Sequence, residues 1–371
     1  MERLDQRLDA ARARVREVSV GALIEGRTHG ASVATILDVR EPHEVDAGAI
    51  PGCVAIPRGL LELQMRTSFP DLGRPLVVVC EAGTRSLLAA DTLVSLGYRE
   101  VCSLVGGMAA WREAGGSVVE RTTLRPDQRR RYQRHLSLPE VGEEGQRRLL
   151  TARVLCVGAG GLGSPCALYL AAAGVGTLGV ADPDHVEASN LQRQVLHPTE
   201  RVGMAKVASA ELTLRGLNPD VDVVTHHALI TEGNIDEIAS GYEVIVDGSD
   251  NFETRDVVNR YAVRHGVPVV HASIHRFEGQ VTSFLPGGPC YRCLFPKTPS
   301  PEAAPSCAEA GVLGVLPGIL GTIQATEVIK ILLGIGAPLG GRLLVFDALE
   351  LSFSTLSYAR AESCAACGSS Q

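Results

Sequence analysis

Three groups of residues in this sequence have types and spacings that can do chemistry. The first is CEAGTRS, residues 80–86, in which Cys80 ends the apolar run Leu76 to Val79 and Arg85 follows five positions later. Backbone N–H groups curling around a sulfur at a strand end favour its anionic form. An arginine closing the loop adds positive charge, so the loop can hold a phosphate or a persulfide anion. The loop is one residue shorter than the C-x5-R loop that grips a phosphoryl group, which suits a sulfur better. The plain alternative is a buried core cysteine, the common fate of a free thiol.

The second group is GAGGLG, containing Gly158, Gly160, Gly161 and Gly163, between the apolar run VLCV and the segment SPCALYLAAAG. Glycines permit a tight turn and close backbone approach, and the helix N-terminus beyond then faces a phosphate. This pattern alone suits NAD, FAD or ATP. Asp182 lies at the distance expected for a ribose contact. Arg193 and Lys206 follow, and two cations after the ribose acid suit a triphosphate better than a dinucleotide. Asp250, in DGSDNFETR after another apolar run, is of the type that holds Mg²⁺. Singly, each has a bland reading as a turn, a solvated cation or a helix cap.

The third group is the pair of C-x2-C motifs, Cys290 with Cys293 and Cys364 with Cys367. Four thiolates bind Zn²⁺ tetrahedrally and leave no open position, so such a site is structural. Unpaired thiols or redox couples are the alternative. Cys307 stands apart, just after the Pro-rich stretch 295–305. Cys53 and Cys102 have no chemical context and read as packing.

These residues need rigid elements to position them. The chain has 371 residues, 45% hydrophobic and 21% charged, enough for two or three domains at roughly 100–200 residues each. The net charge of −7 argues against general nucleic-acid binding. The N-terminus is polar and resembles no signal peptide, so a reducing cytoplasm and unpaired cysteines are expected. Residues 156–181 carry no charge, but their glycines and Pro165 suit a buried strand–loop–helix–strand better than a membrane span. The pattern predicts a helix over 1–17, strands at 34–41, 76–80 and 100–107, and a helix over 85–97. Strands alternating with helices imply an α/β unit with a parallel sheet. The polar stretch 120–128 marks a boundary. A second α/β unit follows, with strands expected at 177–182, 221–226, 243–248, 267–272, 280–285 and 342–347 and a helix near 317–333.

The segments LDVREPHEVDAGAIPGCVAIPRG, CEAGTRS and LVGGMAAW resemble a rhodanese domain. The resemblance implies that Cys80 carries a persulfide and that Arg85 closes its loop. Glu81 places a negative charge beside the sulfur, which disfavours thiosulfate and favours a protein persulfide donor of the cysteine desulfurase type.

From RYQRH near residue 131 to CAACG at 364–368, the chain resembles the MoeB/ThiF group of ubiquitin-activating-type adenylyltransferases. The implied fold is a Rossmann-like domain over 129–371 with a four-cysteine zinc site, after a rhodanese-like domain over 1–120 and a linker over 121–128. The implied activity is ATP-dependent adenylylation of the C-terminal Gly-Gly carboxylate of a small β-grasp sulfur-carrier protein. By position, Gly161 lies against the phosphates and Asp182 against the ribose. Ser189, Asn190 and Gln192 shape the site. Arg193 and Lys206 neutralise charge, Asp250 holds Mg²⁺, and Asn251 sits beside it. Arg134 reaches the site from the partner protomer of a homodimer, and Cys307 matches the reactive-cysteine segment. The two halves then read as consecutive steps, adenylation followed by attack of a Cys80 persulfide. A nicotinamide oxidoreductase and a non-catalytic sulfur-relay scaffold are the rival readings. The carrier could serve molybdopterin synthesis, thiamine synthesis or tRNA thiolation.

Overall fold

The computed structural model describes residues 2–28, 34–119, 124–297 and 311–368. The chain divides into two compact units, Met1–Arg125 and Pro126–Gln371.

In the first unit the described residues form a five-stranded sheet, parallel throughout, in the order β1-β5-β4-β2-β3. Its strands are β1 (Arg16–Val18), β2 (Thr35–Asp38), β3 (Val54–Ala55), β4 (Leu76–Val79) and β5 (Val101–Leu104). Central β4 is buried along its length, as a continuous apolar run requires when helices cover both faces. The helix Thr84–Ser95 buries Leu87, Ala90 and Leu93 at helical spacing. The expected helix over 1–17 is shorter. It ends at Arg12, and Arg16–Val18 becomes the edge strand β1 against β5. Arg16 and Glu17 are exposed there, and a charged edge discourages further strand pairing.

In the second unit the described residues form an eight-stranded sheet, in the order β13-β12-β11-β10-β9-β6-β7-β8. The parallel part comprises β6 (Arg153–Val157), β7 (Thr177–Ala181), β8 (Asp222–His226), β9 (Val244–Asp247) and β10 (Val269–His275). The uncharged window 156–181 is the end of β6, the helix Gly163–Ala173 and β7, all largely buried. Beyond β10 the sheet turns antiparallel through β11 (Glu278–Phe284), β12 (Arg342–Asp347) and β13 (Ser352–Ser357). The sequence pattern missed β13 because all six of its residues are exposed and it presents no buried face.

One helix among the described residues, Val315–Leu333, is long and apolar enough to cross a membrane by length and composition. Here it packs on β10, β11 and the helix Gly163–Ala173, burying Leu316, Leu320, Val328 and Leu332. The strand order reverses between β6 and β9, and a parallel sheet opens a ligand crevice at that switch point.

Candidate active sites

In the first unit, Cys80 follows β4 and is 1% exposed. The Gly83 N–H donates to its Sγ at 3.1 Å, and Sγ lies 3.4 Å from Ser86 Oγ. Ser86 Oγ donates to the Gly83 carbonyl and accepts from Ser103 Oγ. The helix Thr84–Ser95 starts at this loop, so its positive end faces the sulfur. A second wall comes from Gly107, at φ +58, where a Cβ would stand 2.2 Å from the Cys80 carbonyl. That close approach lets the Met108 N–H donate to the Cys80 carbonyl. Ser86 and Ser103 were not singled out from sequence, although Ser86 lies within the CEAGTRS stretch.

The charges around this loop differ from the sequence reading. Glu81 is paired twice, by Arg40 Nη1 at 3.0 Å and Arg112 Nη1 at 2.5 Å. Its effect on an anion at Cys80 is therefore largely compensated. Arg40 is fully buried and grips Asp38 with two nitrogens. Arg85 does not stand free to close the loop, because Glu44 binds its Nη1 and Nη2 at 2.7 and 2.6 Å. That hydrogen bonding holds the Glu44 carboxyl at about 2, and it pushes Arg85 further up. Cys53 lies in the core and Cys102 packs against it, as expected.

In the second unit, a cleft of about 720 Å³ opens at the switch point. It brings together Gly158, Gly160, Gly161, Asp182, Arg193, Lys206, Asp250 and Asn251 from the sequence reading. Asp182 is buried at the end of β7, where its carboxylate accepts from the Ala159 N–H at 2.8 Å and the Asp184 N–H at 2.9 Å. It therefore also holds the glycine loop in shape. Lys206 begins the helix Lys206–Leu217, is 5% exposed, and donates to Asp184 Oδ2 at 2.7 Å. A nearly buried ammonium with neighbouring carboxylates is a fixed positive charge aimed at the cleft. Asn190 accepts from Arg193 Nη2 at 2.9 Å and so positions that guanidinium. Asn251 caps the helix Phe252–His265 by accepting from the Thr254 N–H.

Other expected residues sit outside the cleft. Gly163 lies beneath the loop, where a Cβ would meet the Gly158 carbonyl at 1.9 Å. Ser189 and Gln192 are exposed and do not line the cavity; buried Gln194 lines it instead. The 3-10 turn Ala188–Asn190 sets which of these side chains points inward, and that phase is not readable from residue type. Arg134 is exposed and lines no part of its own chain's cleft. Cys307 lies outside the described residues.

Two buried histidines were not foreseen. His197 Nε2 pairs with the Ala159 carbonyl at 2.9 Å and Nδ1 with Ser209 Oγ at 3.0 Å, bracing the glycine loop from below. His271 Nδ1 pairs with Asp247 Oδ2 at 2.8 Å beside the cleft.

The four thiols of Cys290, Cys293, Cys364 and Cys367 converge, all sulfurs lying within 4.8 Å of one another. Cys290 to Cys364 is 3.6 Å and Cys293 to Cys367 is 3.4 Å. Four sulfurs at about 2.3 Å from one Zn²⁺ stand roughly 3.8 Å apart, so the donor set and its size fit a tetrahedral ion.

Residues 132–366 match the ThiF family model, and residues 21–114 match the Rhodanese-like domain. The chain belongs to the ThiF family. It is 53% identical over 238 residues to the SAMP-activating enzyme E1 of Haloferax volcanii, covering 64% of this chain and 88% of that protein. It is 54% identical over 244 residues to the sulfur carrier protein adenylyltransferase of Thermus thermophilus, covering 64% and 90%. Against the adenylyltransferase and sulfurtransferase MOCS3 of Bos taurus, identity is 48% over 281 residues, and the match spans 75% of this chain but 62% of that protein. Escherichia coli MccB shares the fold, with a TM-score of 0.57 at 23% identity over 64% of this chain and 74% of that one. This ThiF-family chain thus carries a rhodanese-like domain ahead of its ThiF region.

Proposed function

We propose that this chain adenylylates the C-terminal Gly-Gly carboxylate of a small β-grasp sulfur-carrier protein and then converts it to a thiocarboxylate. The observation that carries this reading is the single cleft that gathers the Gly161 loop, Asp182, Arg193, Lys206 and Asp250. A carboxylate oxygen of the carrier attacks the α-phosphorus of ATP, and pyrophosphate leaves. Lys206 and Arg193 stabilise the charge that develops there. Asp250 would hold Mg²⁺, which would supply charge to neutralise the triphosphate. Arg134 completes the site from the partner protomer of a homodimer.

The second step uses the outer sulfur of a Cys80 persulfide, delivered by a persulfide donor of the cysteine desulfurase type. It attacks the acyl carbon and AMP leaves, giving an acyl disulfide. A thiol attacks the Cys80 sulfur and releases the thiocarboxylate. The disulfide left behind is reset by a thiol reductant. The adenylyltransferase region is assigned to 129–371 and the sulfurtransferase region to 1–120, joined by 121–128, in a cytoplasmic enzyme. Cys290, Cys293, Cys364 and Cys367 would hold a Zn²⁺ whose role is structural, since four thiolates leave it no open position.

The test is ATP–pyrophosphate exchange with candidate carriers from the molybdopterin, thiamine and tRNA-thiolation pathways, offered singly. Exchange that needs one carrier and disappears in Asp250→Ala supports the reading and names the pathway. No exchange with any carrier, from zinc-loaded dimeric protein, overturns it.

A further inference from the structure

His271 is 1% exposed; its ring stacks on Phe284 and meets Tyr291 and Phe295 edge-on, and with those two it forms part of one wall of the cleft. The parallel register sets it opposite Asp247. Asp247 Oδ1 already accepts from the Ser249 N–H and Oγ, and Oδ2 faces His271 Nδ1. Burial acts to raise Asp247, but the His271 and Ser249 hydrogen bonds and the nearby Arg255 leave it below its ordinary range. Burial in turn pushes His271 down. The pair is therefore a carboxylate accepting from a neutral imidazole with its hydrogen on Nδ1. The Nε2 lone pair is then an acceptor, buried, and without a partner among the described residues.

A buried acceptor calls for a donor. Phosphates and carboxylates offer none. In the proposed ternary complex the donors that the ligands bring are the adenosine hydroxyls and amino group and the backbone N–H groups of the carrier tail. Strand order separates them. Asp182 ends β7, and Ala228 to Ile230, just beyond β8, line the cleft on that side. His271 lies on β10, three strands away from β7, roughly 14 Å at the usual strand spacing. With the ribose on Asp182, as the proposed function has it, the adenosine falls on the β7–β8 side and the phosphates on the glycine loop. The β10–β11 side, where Ser273 and Gln280 also line the cleft, is left to the second substrate. A Gly-Gly tail has no side chains, so its only hydrogen-bond donors are backbone N–H groups.

We infer that His271 Nε2 accepts a hydrogen bond from a backbone N–H of the carrier's C-terminal Gly-Gly, making His271 a positioning residue for the attacking carboxylate. The inference rests on the proposed function and extends it to the second substrate.

The test is a double-mutant cycle on kcat/KM for adenylylation. Semisynthetic carriers have the N–H of either final glycine replaced by an ester oxygen. They are compared in wild type and in His271→Phe, which keeps a ring in the aromatic cluster. The expected result is that one ester costs about tenfold in wild type and nothing further in His271→Phe. ATP KM stays unchanged, and His271→Gln, which keeps an acceptor, restores sensitivity to the ester. An equal ester penalty in both backgrounds, a raised ATP KM in His271→Phe, or no penalty from either ester in wild type overturns the inference. Where His271→Phe fails to fold, the wild-type ester series still tests the inference, because no penalty from either ester overturns it. Absence of turnover by wild type with every natural carrier would instead remove the proposed function itself.

Discussion

Glu44 and Arg85 form a two-pronged ion pair, at 2.6 and 2.7 Å, beside the sulfur of Cys80. Arg85 would otherwise be the cation available to an incoming dianion, and Glu44 already occupies both of its terminal nitrogens. A small anionic sulfur donor then meets a compensated guanidinium plus the residual field of a carboxylate. Glu44→Gln is expected to raise kcat/KM for thiosulfate in a cyanide-coupled sulfurtransferase assay several-fold, towards about tenfold for one partly screened charge. Transfer from a protein persulfide donor should change by less. An unchanged or lower thiosulfate rate would show that Glu44 does not gate the loop.

The same pair makes a prediction about acid stability. Glu44 is held at about 2, mainly by its hydrogen bond to Arg85, against an ordinary value near 4.5. A carboxyl depressed on folding stabilises above its unfolded pKa and loses that contribution as pH falls towards its folded one. The loss should fall between about pH 4.5 and pH 2. Both partners are partly exposed, so the magnitude is about 1 kcal/mol or less. Trp111, the only tryptophan in the chain, lies in the first unit and reports that unit's unfolding by fluorescence. Urea midpoints of wild type and Glu44→Gln should differ at pH 7 and converge as the solution is acidified. Curves that stay parallel down to pH 3 would remove the pair as the cause.

The parallel cores and both loops were legible because continuous apolar runs, glycine spacing and flanking helical periodicity are local signals. The missing parts depend on contacts across the fold. Glu44 and Arg85 stand far apart in sequence and meet only once β2 and β4 pair. The charge on Glu81 looked uncompensated because Arg40 and Arg112 reach it from other elements. Asp247 and His271 become partners through strand register, which nothing in DGSDN or VVHAS announces. Strand β13 has no buried face, and β1 is too short for a periodicity to show.

Metal analysis tests the cysteine cluster. One equivalent of zinc per chain is expected, and Cys293→Ser should remove it. Cys293 Sγ approaches Cys367 at 3.4 Å and also accepts from the Ala361 N–H, so its loss opens the site that anchors the tail. The melting transition of the second unit should fall by several degrees, and a strong chelator should reproduce the shift in wild type. Trp111 fluorescence should not follow it, since the cluster and Trp111 belong to different units. Full stability in metal-free protein would show that the thiols pack without an ion.

Two glycines of one loop should respond differently to a single methyl group. Gly163 starts the helix Gly163–Ala173, where alanine is intrinsically better than glycine by about 1 kcal/mol. Its Cβ, however, would stand 1.9 Å from the Gly158 carbonyl, an overlap that only movement of the loop relieves. Overlap should win, and Gly163→Ala is expected to cost about 2–4 kcal/mol and to weaken nucleotide binding. At Gly160 the nearest atom to an added Cβ is the Gln194 amide nitrogen, at 3.5 Å, an ordinary contact. Gly160→Ala should therefore keep its melting temperature within about 2 °C of wild type, whatever it does to phosphate binding. Thermal unfolding of both variants, with and without ATP, separates the two roles. Equal stability of Gly163→Ala and wild type would mean that the loop can shift without loss, and the close approach of Gly163 to Gly158 would then not be what fixes its shape.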